Sequence, residues 1–317
     1  MTSKTTPIII DCDPGTDDAI ALLMACASKK LSILGVTTVG GNQTLNKTTL
    51  NALKILSFIQ RQDIPVARGC AKPLLRALHT AGEVHGSSGL GGVILPDPVF
   101  DVQKDNAVQF IYKTLKHHKR VTLVCIAPLT NIALLLSSHP EIKENIEKIV
   151  LMGGGLSHGN CTTTAEFNIY VDPEAAEIVF SAGIPIVMCG LDMTETAIIT
   201  MEQIEEFSHL KGPVARFASD IFEFYSEYYK KMGFPGIAMH DPTTIAYLLH
   251  PEMFTVEPLY VQVETQGKYT DGMTIADRRK CADKPAPNAL VCTGINVPSF
   301  VQLVKDCITS YETGALV

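Results

Sequence analysis

Ile8-Ile9-Ile10-Asp11-Cys12-Asp13-Pro14-Gly15-Thr16-Asp17-Asp18 stands near the amino terminus, and Ala19 to Ala27 follows as nine residues without a charge. The β-branched run Ile8–Ile10 predicts a short buried strand. Asp18 to Cys26 has the length and composition of a buried helix. Pro14 and Gly15 punctuate the stretch between them. A buried strand, a polar turn and an apolar helix together read as the start of an alternating β/α chain.

The alternation continues outward from this unit. Leu31 to Val39, rich in Val, Ile and Thr, predicts a second strand, and Thr48 to Gln60 a helix. Val121–Cys125, Lys148–Met152 and Pro185–Cys189 are further short apolar runs. Helical stretches lie among them at Asn131–Leu136, Pro173–Ser181 and Met201–Leu210. Short, continuous apolar strands fit burial on both faces, and alternating helices supply the crossovers. The expected fold class is α/β, with an open, mostly parallel, Rossmann-like sheet and helices on both faces. No internal repeat or Pro/Ser-rich linker divides the chain, so residues 1–317 are expected to form a single domain. Residues 211–285 are less regular and read as a C-terminal addition. Within them Phe217–Lys231 looks like an amphipathic aromatic helix, and Arg278–Pro287 is a polar loop.

Apolar residues make up 46% of the 317 positions and charged residues 19%, enough to bury a substantial core. A net charge of −7 argues against a nucleic-acid binder. The longest apolar run, nine residues, is about half of what a bilayer span needs, so no membrane partner is expected. Met1 to Pro7 holds no apolar signal-peptide core, which suggests a cytoplasmic protein. The nine cysteines include no CxxC pair. Cys12, Cys125 and Cys189 lie in apolar runs and read as buried thiols of a reducing compartment.

One segment resists a periodic reading. Ala71 to Phe100 is unusually long for a loop and carries Gly86, Gly89, Gly91 and Gly92. Its centre, His85-Gly86-Ser87-Ser88-Gly89, reads either as a mobile flap carrying a polar group or as a surface excursion with one solvated histidine.

In open α/β sheets, ligands bind beyond the carboxyl ends of the strands. Polar residues gather at those positions: Asp11, Asp13, Asp17 and Asp18 after the first strand, and Gly40-Gly41-Asn42 after the second. Ile126 to Asn131 follow Val121–Cys125. Gly153-Gly154-Gly155, Asn160, Glu166 and Asn168 follow Lys148–Met152, and Asp192 and Thr194 follow Pro185–Cys189. Four carboxylates within Asp11–Asp18 repel one another without a counter-charge, and a helix amino terminus offers only about half a positive charge. A divalent cation resolves this, and all-oxygen ligands select a hard ion, Ca²⁺ or Mg²⁺. Acidic capping of a helix is the competing explanation, but it accounts for one or two carboxylates, not four. Adjacent helix positions do not face each other. Asp17 and Asp18 are therefore expected to serve different partners, one a metal and one a substrate hydroxyl.

His240-Asp241-Pro242 is ambiguous, because Asp-Pro is an ordinary helix start. Asp172-Pro173 has the same form and is read only as a cap. The histidine before Asp241 is a candidate proton donor. In an extended segment Glu166 and Asn168 would share a face suited to a polyol, or be plain surface residues. Tyr225 and Tyr229 share a helix face, with core packing as the default and stacking on an aromatic ligand as the alternative.

Asp11-Cys12-Asp13-Pro14-Gly15-Thr16-Asp17-Asp18-Ala19 resembles the signature of the inosine-uridine-type nucleoside hydrolases, the ribonucleoside N-ribohydrolases. The resemblance extends through Gly41-Asn42-Gln43-Thr44, Val84-His85-Gly86, Pro128-Leu129-Thr130-Asn131, Leu151-Met152-Gly153-Gly154, Ala165-Glu166-Phe167-Asn168, Val171-Asp172-Pro173-Glu174-Ala175, His240-Asp241-Pro242 and Gly272-Met273-Thr274. It covers nearly the whole chain. It implies that Asp13, Asp18, Asp241 and the backbone carbonyl of Ile126 would hold Ca²⁺. The family often has Thr where Ile126 stands, a difference that a carbonyl ligand makes harmless. Asp13 would also be the general base for an attacking water. Asp17, Asn42, Asn160, Glu166 and Asn168 would grip the ribose hydroxyls, and Met152 would line the ribose pocket. His85, His240, Tyr225 and Tyr229 would border the base, with His240 a candidate acid for the leaving group. Members are commonly homodimers or homotetramers. Ala165–Gly183 and Val263–Tyr269 look closest to bacterial pyrimidine-preferring members, which favours uridine and cytidine over inosine.

Three other classes fit less well. A haloacid-dehalogenase-type phosphatase also begins Asp-x-Asp after a strand, but this chain has Gly15 where that motif wants Thr or Val. A non-catalytic nucleoside- or sugar-binding protein would bind uridine without releasing ribose. A dinucleotide oxidoreductase would need GxGxxG after the first strand, which is absent.

Overall fold

A computed structural model describes residues 5–279, 283–314 and 317. Twelve strands are present among them. They are β1 Thr6–Cys12, β2 Leu31–Thr38, β3 Val66–Arg68, β4 Val121–Cys125, β5 Ile146–Met152, β6 Ile186–Cys189, β7 Ile198–Thr200, β8 Gly236–Ala238, β9 Phe254–Leu259, β10 Val261–Val263, β11 Thr274–Ala276 and β12 Ala289–Ile295. Eight form one sheet in the order β3-β2-β1-β4-β5-β6-β12-β9. Every pairing in it is parallel except that of β9 with β12. The mostly parallel α/β sheet expected from the sequence is therefore what forms.

Strand alternation places helices on both faces. Ile8, Ile10 and Cys12 of β1 pack with the helix Thr16–Ala27, the helix Pro213–Lys231 and the C-terminal helix Val297–Thr313. Ile9 points the other way, against the helices Ala107–His117, Thr130–Ser138 and Pro173–Phe180. Every residue of Thr16–Ala27 is buried. That explains why its sequence is apolar on all sides rather than amphipathic.

The strand order fixes where a ligand can enter. From β1 the chain moves outward through β2 to β3, and β4 then returns to the opposite side of β1. The crossovers diverge at β1 and β4, which leaves a crevice beyond their carboxyl ends. Asp13 follows β1 and Ile126 follows β4, with Asp11 paired to Cys125 in register.

The segment Ala71–Phe100 contains one short helix, Gly82–His85, and is stapled to its surroundings. Gln43 Nε2 donates to the Gly86 carbonyl at 3.0 Å, and Lys47 Nζ to the Ser87 carbonyl at 2.6 Å. Asn51 Nδ2 reaches the Ser88 carbonyl at 2.9 Å. Arg76 bridges Glu174 and Asp271. His85 is buried, so the solvated-histidine reading fails. Several further expectations need correction. Residues 211–285 hold regular elements, including the 19-residue helix Pro213–Lys231 and β9. Of the Arg278–Pro287 loop, Lys280 to Ala282 lie outside the described residues. Cys12, Cys125 and Cys189 are buried free thiols, as their surroundings suggest. Among the described residues, no helix is long and apolar enough to cross a membrane.

Candidate active site

The turn after β1 and the first turn of the helix Thr16–Ala27 build an acidic floor. Asp18 is the third residue of that helix, and its side chain folds back over the helix start. Its Oδ2 accepts the Gly15 N–H at 2.9 Å and the Asn42 amide at 2.9 Å, and its Oδ1 accepts the Asp13 N–H at 3.1 Å. Asp13 is held by the Asn42 N–H, which donates to Oδ2 at 2.6 Å. Its other oxygen, Oδ1, is buried without a hydrogen-bond partner.

Asp241 arrives from the far side of the chain, where it precedes the helix Pro242–Leu249. It makes no side-chain capping bond, although Asp172 before Pro173 does, accepting the Ala175 N–H at 3.1 Å. The two Asp-Pro pairs therefore part ways: one caps a helix, and the other turns its carboxylate into the crevice. One oxygen each from Asp17, Asp18 and Asp241 lie within 4.8 Å of one another. Asp17 and Asp18, neighbours in sequence, thus converge on one part of the crevice. The fold-back of Asp18 brings both carboxylates to the helix start, where the side-by-side rule for a helix surface no longer applies.

Burial raises every carboxyl here when no cation is present. Asp17 is pushed up to about 7 by desolvation and then by the charge of Asp18. Desolvation lifts Asp18 to about 6 despite its backbone hydrogen bonds. Asp13 and Asp241 rise well above the usual carboxylate range, from desolvation first and neighbouring carboxylates second. Among the described residues, the Asp18 and Asp241 carboxyls approach each other with no basic side chain between them. Converging carboxylates, an orphaned Asp13 oxygen and a helix amino terminus already crowded with acids fit a hard divalent ion. Asp11 does not join this group. Its Oδ1 accepts from Thr37 Oγ1 at 2.5 Å and from Asn131 Nδ2 at 2.8 Å, and it supports the sheet from behind.

Above the floor lies a cavity of about 450 Å³. Asp17, Asn42, His85, Ile126, Met152, Asn160, Glu166, Asn168, Tyr225, Tyr229, His240 and Asp241 line it, while Asp13 and Asp18 are wholly buried beneath. The sequence-derived residues therefore converge. Glu166 and Asn168 meet the cavity for a reason other than strand alternation: Glu166 caps the helix Phe167–Val171. Its carboxylate accepts the Asn168, Ile169 and Gly154 N–H groups at 2.9, 3.1 and 2.9 Å. Gly154 presents that N–H from a φ of 74°, a conformation that favours glycine. Burial still pushes Glu166 up to about 7. Asn168 Nδ2 donates to the Met152 carbonyl at 3.1 Å. Asn160 Oδ1 accepts the Phe167 N–H at 2.9 Å.

Two histidines sit deeper than their sequence context suggested. His85 Nδ1 accepts the Thr16 N–H at 3.2 Å and lies 2.9 Å from Thr16 Oγ1. That assigns its proton to Nε2 in the neutral form, and desolvation lowers its pKa to about 3. His240 Nδ1 lies 2.8 Å from Thr194 Oγ1, and its Nε2 lies 2.7 Å from the Tyr229 hydroxyl. The Tyr225 ring packs edge-on against Tyr229 at a centroid distance of 5.0 Å. Desolvation lowers His240 to about 4, so a neutral imidazole sits within a chain of hydroxyls. The roles of Thr16 and of the Tyr229–His240 contact were not legible in advance. Only the fold brings residues 69 positions apart together.

Gly41 is required by close approach. A Cβ there would meet Asp13 Oδ2 and would lie 2.9 Å from Pro128 Cδ. Gly41→Ala is expected to displace the Asp13 carboxylate and to lower kcat/KM by about 10²-fold, the scale of a misplaced reacting group. Steady-state rates on uridine check this; unchanged kinetics would remove Asp13 from the chemistry.

A mostly parallel sheet, a carboxylate cluster beyond its central strands and a polar cavity above that cluster together make up the site. The model of the family described as "Inosine-uridine preferring nucleoside hydrolase" matches residues 8–302, and the chain belongs to that family. It is 50% identical over 308 residues to the pyrimidine-specific ribonucleoside hydrolase RihA of Shigella boydii serotype 4, covering 96% of this chain and 99% of that one. It is 51% identical over 310 residues to the protein of the same description from Shewanella oneidensis, covering 97% of each. Among solved structures, the purine-preferring ribonucleoside hydrolase from Gardnerella vaginalis superposes with a TM-score of 0.90 at 32% identity, covering 96% and 99%.

Proposed function

We propose that this enzyme hydrolyses the N-glycosidic bond of ribonucleosides, uridine and cytidine ahead of inosine, to ribose and a free base. The observation that carries the reading is the meeting of Asp17, Asp18 and Asp241 beneath a cavity lined by Asn42, Glu166 and Asn168. The pyrimidine preference rests on the relatives described as pyrimidine-specific.

Asp13, Asp18, Asp241 and the Ile126 carbonyl would hold Ca²⁺, with Asp17 beside them. When bound, the ion supplies a positive charge that acidifies a neighbouring water and attracts vicinal ribose hydroxyls. Asp13 Oδ1, free of other partners, receives the proton of the attacking water. Its Oδ2 is fixed by the Asn42 N–H, so the carboxylate cannot swing away. Asp17 and Asn42 take ribose hydroxyls on the acidic side, while Glu166, Asn168 and Asn160 take them on the other. Glu166 is held rigid by three N–H groups, so it binds without reorganising. As the C1′–N bond lengthens, the ribose ring gains positive charge, and the surrounding carboxylates stabilise it. The departing base needs a proton. The Tyr229 hydroxyl stands on His240 Nε2, so the proton reaches the base along Thr194–His240–Tyr229.

Initial rates on uridine, cytidine, inosine and adenosine, with and without a chelator, test the reading. Ribose release from uridine that stops on chelation is the expected result, and phosphate release or binding without turnover would overturn it. His240→Ala is expected to slow uridine by about 10²-fold or more while slowing p-nitrophenyl riboside far less. That leaving group departs without a proton, so equal losses on both substrates would remove the acid role.

A further inference from the structure

Residues 153–164 cross one side of the cavity without regular secondary structure and carry Asn160 at an exposed position. Asn160 Oδ1 is occupied by the Phe167 N–H, which leaves Nδ2 to donate to a ribose hydroxyl. An irregular, exposed loop keeps a side chain in place only through its ties to firmer structure. Here the ties are polar. The Leu156 N–H donates to Asp192 Oδ2 at 2.6 Å, and Ser157 Oγ donates to Asp192 Oδ1 at 2.5 Å. With its one proton spent there, the Ser157 hydroxyl accepts from His158 Nδ1, 2.9 Å away. His158 Nε2 lies 2.8 Å from Glu195 Oε2. Both ring nitrogens thus face acceptors, and a ring carrying both protons makes both bonds. Among the described residues, the hydrogen bonds of residues 156–158 that leave the loop all end on Asp192 or Glu195.

The other side of this clasp is firm. Asp192 lies in the helix Leu191–Thr194, and Glu195 follows it. The Leu191 N–H donates to the Gly154 carbonyl at 2.9 Å, and Leu191 and Thr194 are wholly buried. We propose that His158 and Asp192 are positioning residues for ribose binding, which clamp the Asn160 loop onto the helix Leu191–Thr194. The inference rests on the nucleoside-hydrolase reading, with Asn160 as a ribose contact. Without the clamp the loop is docked for only a fraction of the time, and apparent affinity falls by that fraction. Bound ribose draws the loop back, so turnover at saturation is kept. The helix keeps its own anchors, so the Thr194–His240–Tyr229 chain stays in place. The loss therefore falls on the ribose, which every substrate shares, and not on the leaving group.

The test uses the Ca²⁺-loaded enzyme with uridine and p-nitrophenyl riboside. His158→Ala is expected to raise KM about fivefold on both substrates and to leave kcat within about twofold of the parent. His158→Gln, whose amide nitrogen can still donate to Glu195, is expected to recover most of that loss. Asp192→Ala removes the other half of the clasp at a residue outside the cavity, and is expected to raise KM in the same way. His158 itself touches the cavity, so a cycle with Asn160→Ala separates positioning from direct contact. In the Asn160→Ala background, His158→Ala is expected to change KM by less than about twofold, because there is no longer a grip to position. A full further loss in that background would overturn the inference, as would a fall in kcat with KM unmoved. So would an unchanged KM in His158→Ala, and each of these leaves uridine hydrolysis by the parent enzyme standing. A parent enzyme that releases no ribose from uridine removes the reading and the inference together.

Discussion

Asp13→Asn is expected to lower kcat on uridine by at least ~10³-fold while leaving the protein folded. The reason is specific to one oxygen. Asp13 Oδ2 is committed to the Asn42 N–H, so Oδ1 is the atom left to take a proton. An amide preserves the shape of the side chain but has no basic oxygen at neutral pH. Stability is expected to hold or rise in the metal-free protein, because burial and neighbouring carboxylates make Asp13 an unfavourable charge there. Rapid-quench rates and a thermal melt check the two halves separately. Near-normal turnover by a folded variant would show that another group takes the proton.

Removal of divalent ions is the second large effect. Treatment with a calcium-selective chelator is expected to abolish turnover, with recovery on added Ca²⁺. The metal-free protein also has a definite pH signature. The folded-state pKa values of Asp17 and Asp18, about 7 and about 6, lie above the ordinary 3.8. The folded state therefore binds more protons than the unfolded state between pH 4 and 7, and stability falls as pH rises through that window. Ca²⁺ is expected to flatten the decline by replacing the bound protons, and to raise Tm most at the alkaline end. A melt series from pH 5 to 8, with and without Ca²⁺, reads this directly. A Tm that falls with pH equally in both series would mean that the carboxylates hold no ion.

Much of the sheet was readable because its inner strands are continuous apolar runs. Val121–Cys125 matches its strand to the residue, and the others differ at their ends by one or a few residues. The edges were not readable. Val66–Arg68 is three residues long, and Phe254–Leu259 contains Pro258 and an exposed Val256, as a sheet edge tolerates but an inner strand does not. Nothing within Ala289–Ile295 says that the last strand of the chain slots between β6 and β9. The site was legible wherever polar residues follow a strand, as at Asp13, Asn42 and Glu166. The contacts that set its protonation states, Thr16 on His85 and Tyr229 on His240, join separate elements and leave no mark in local sequence.

The account depends on one ion seated where the helix Thr16–Ala27 begins. A crystal structure grown with Ca²⁺ and a non-hydrolysable uridine analogue tests it most directly. The expected result is an ion about 2.3–2.6 Å from oxygens of Asp13, Asp18, Asp241 and the Ile126 carbonyl, with ribose hydroxyls completing its shell. Analogue bound in the cavity with no ion between the carboxylates would contradict it.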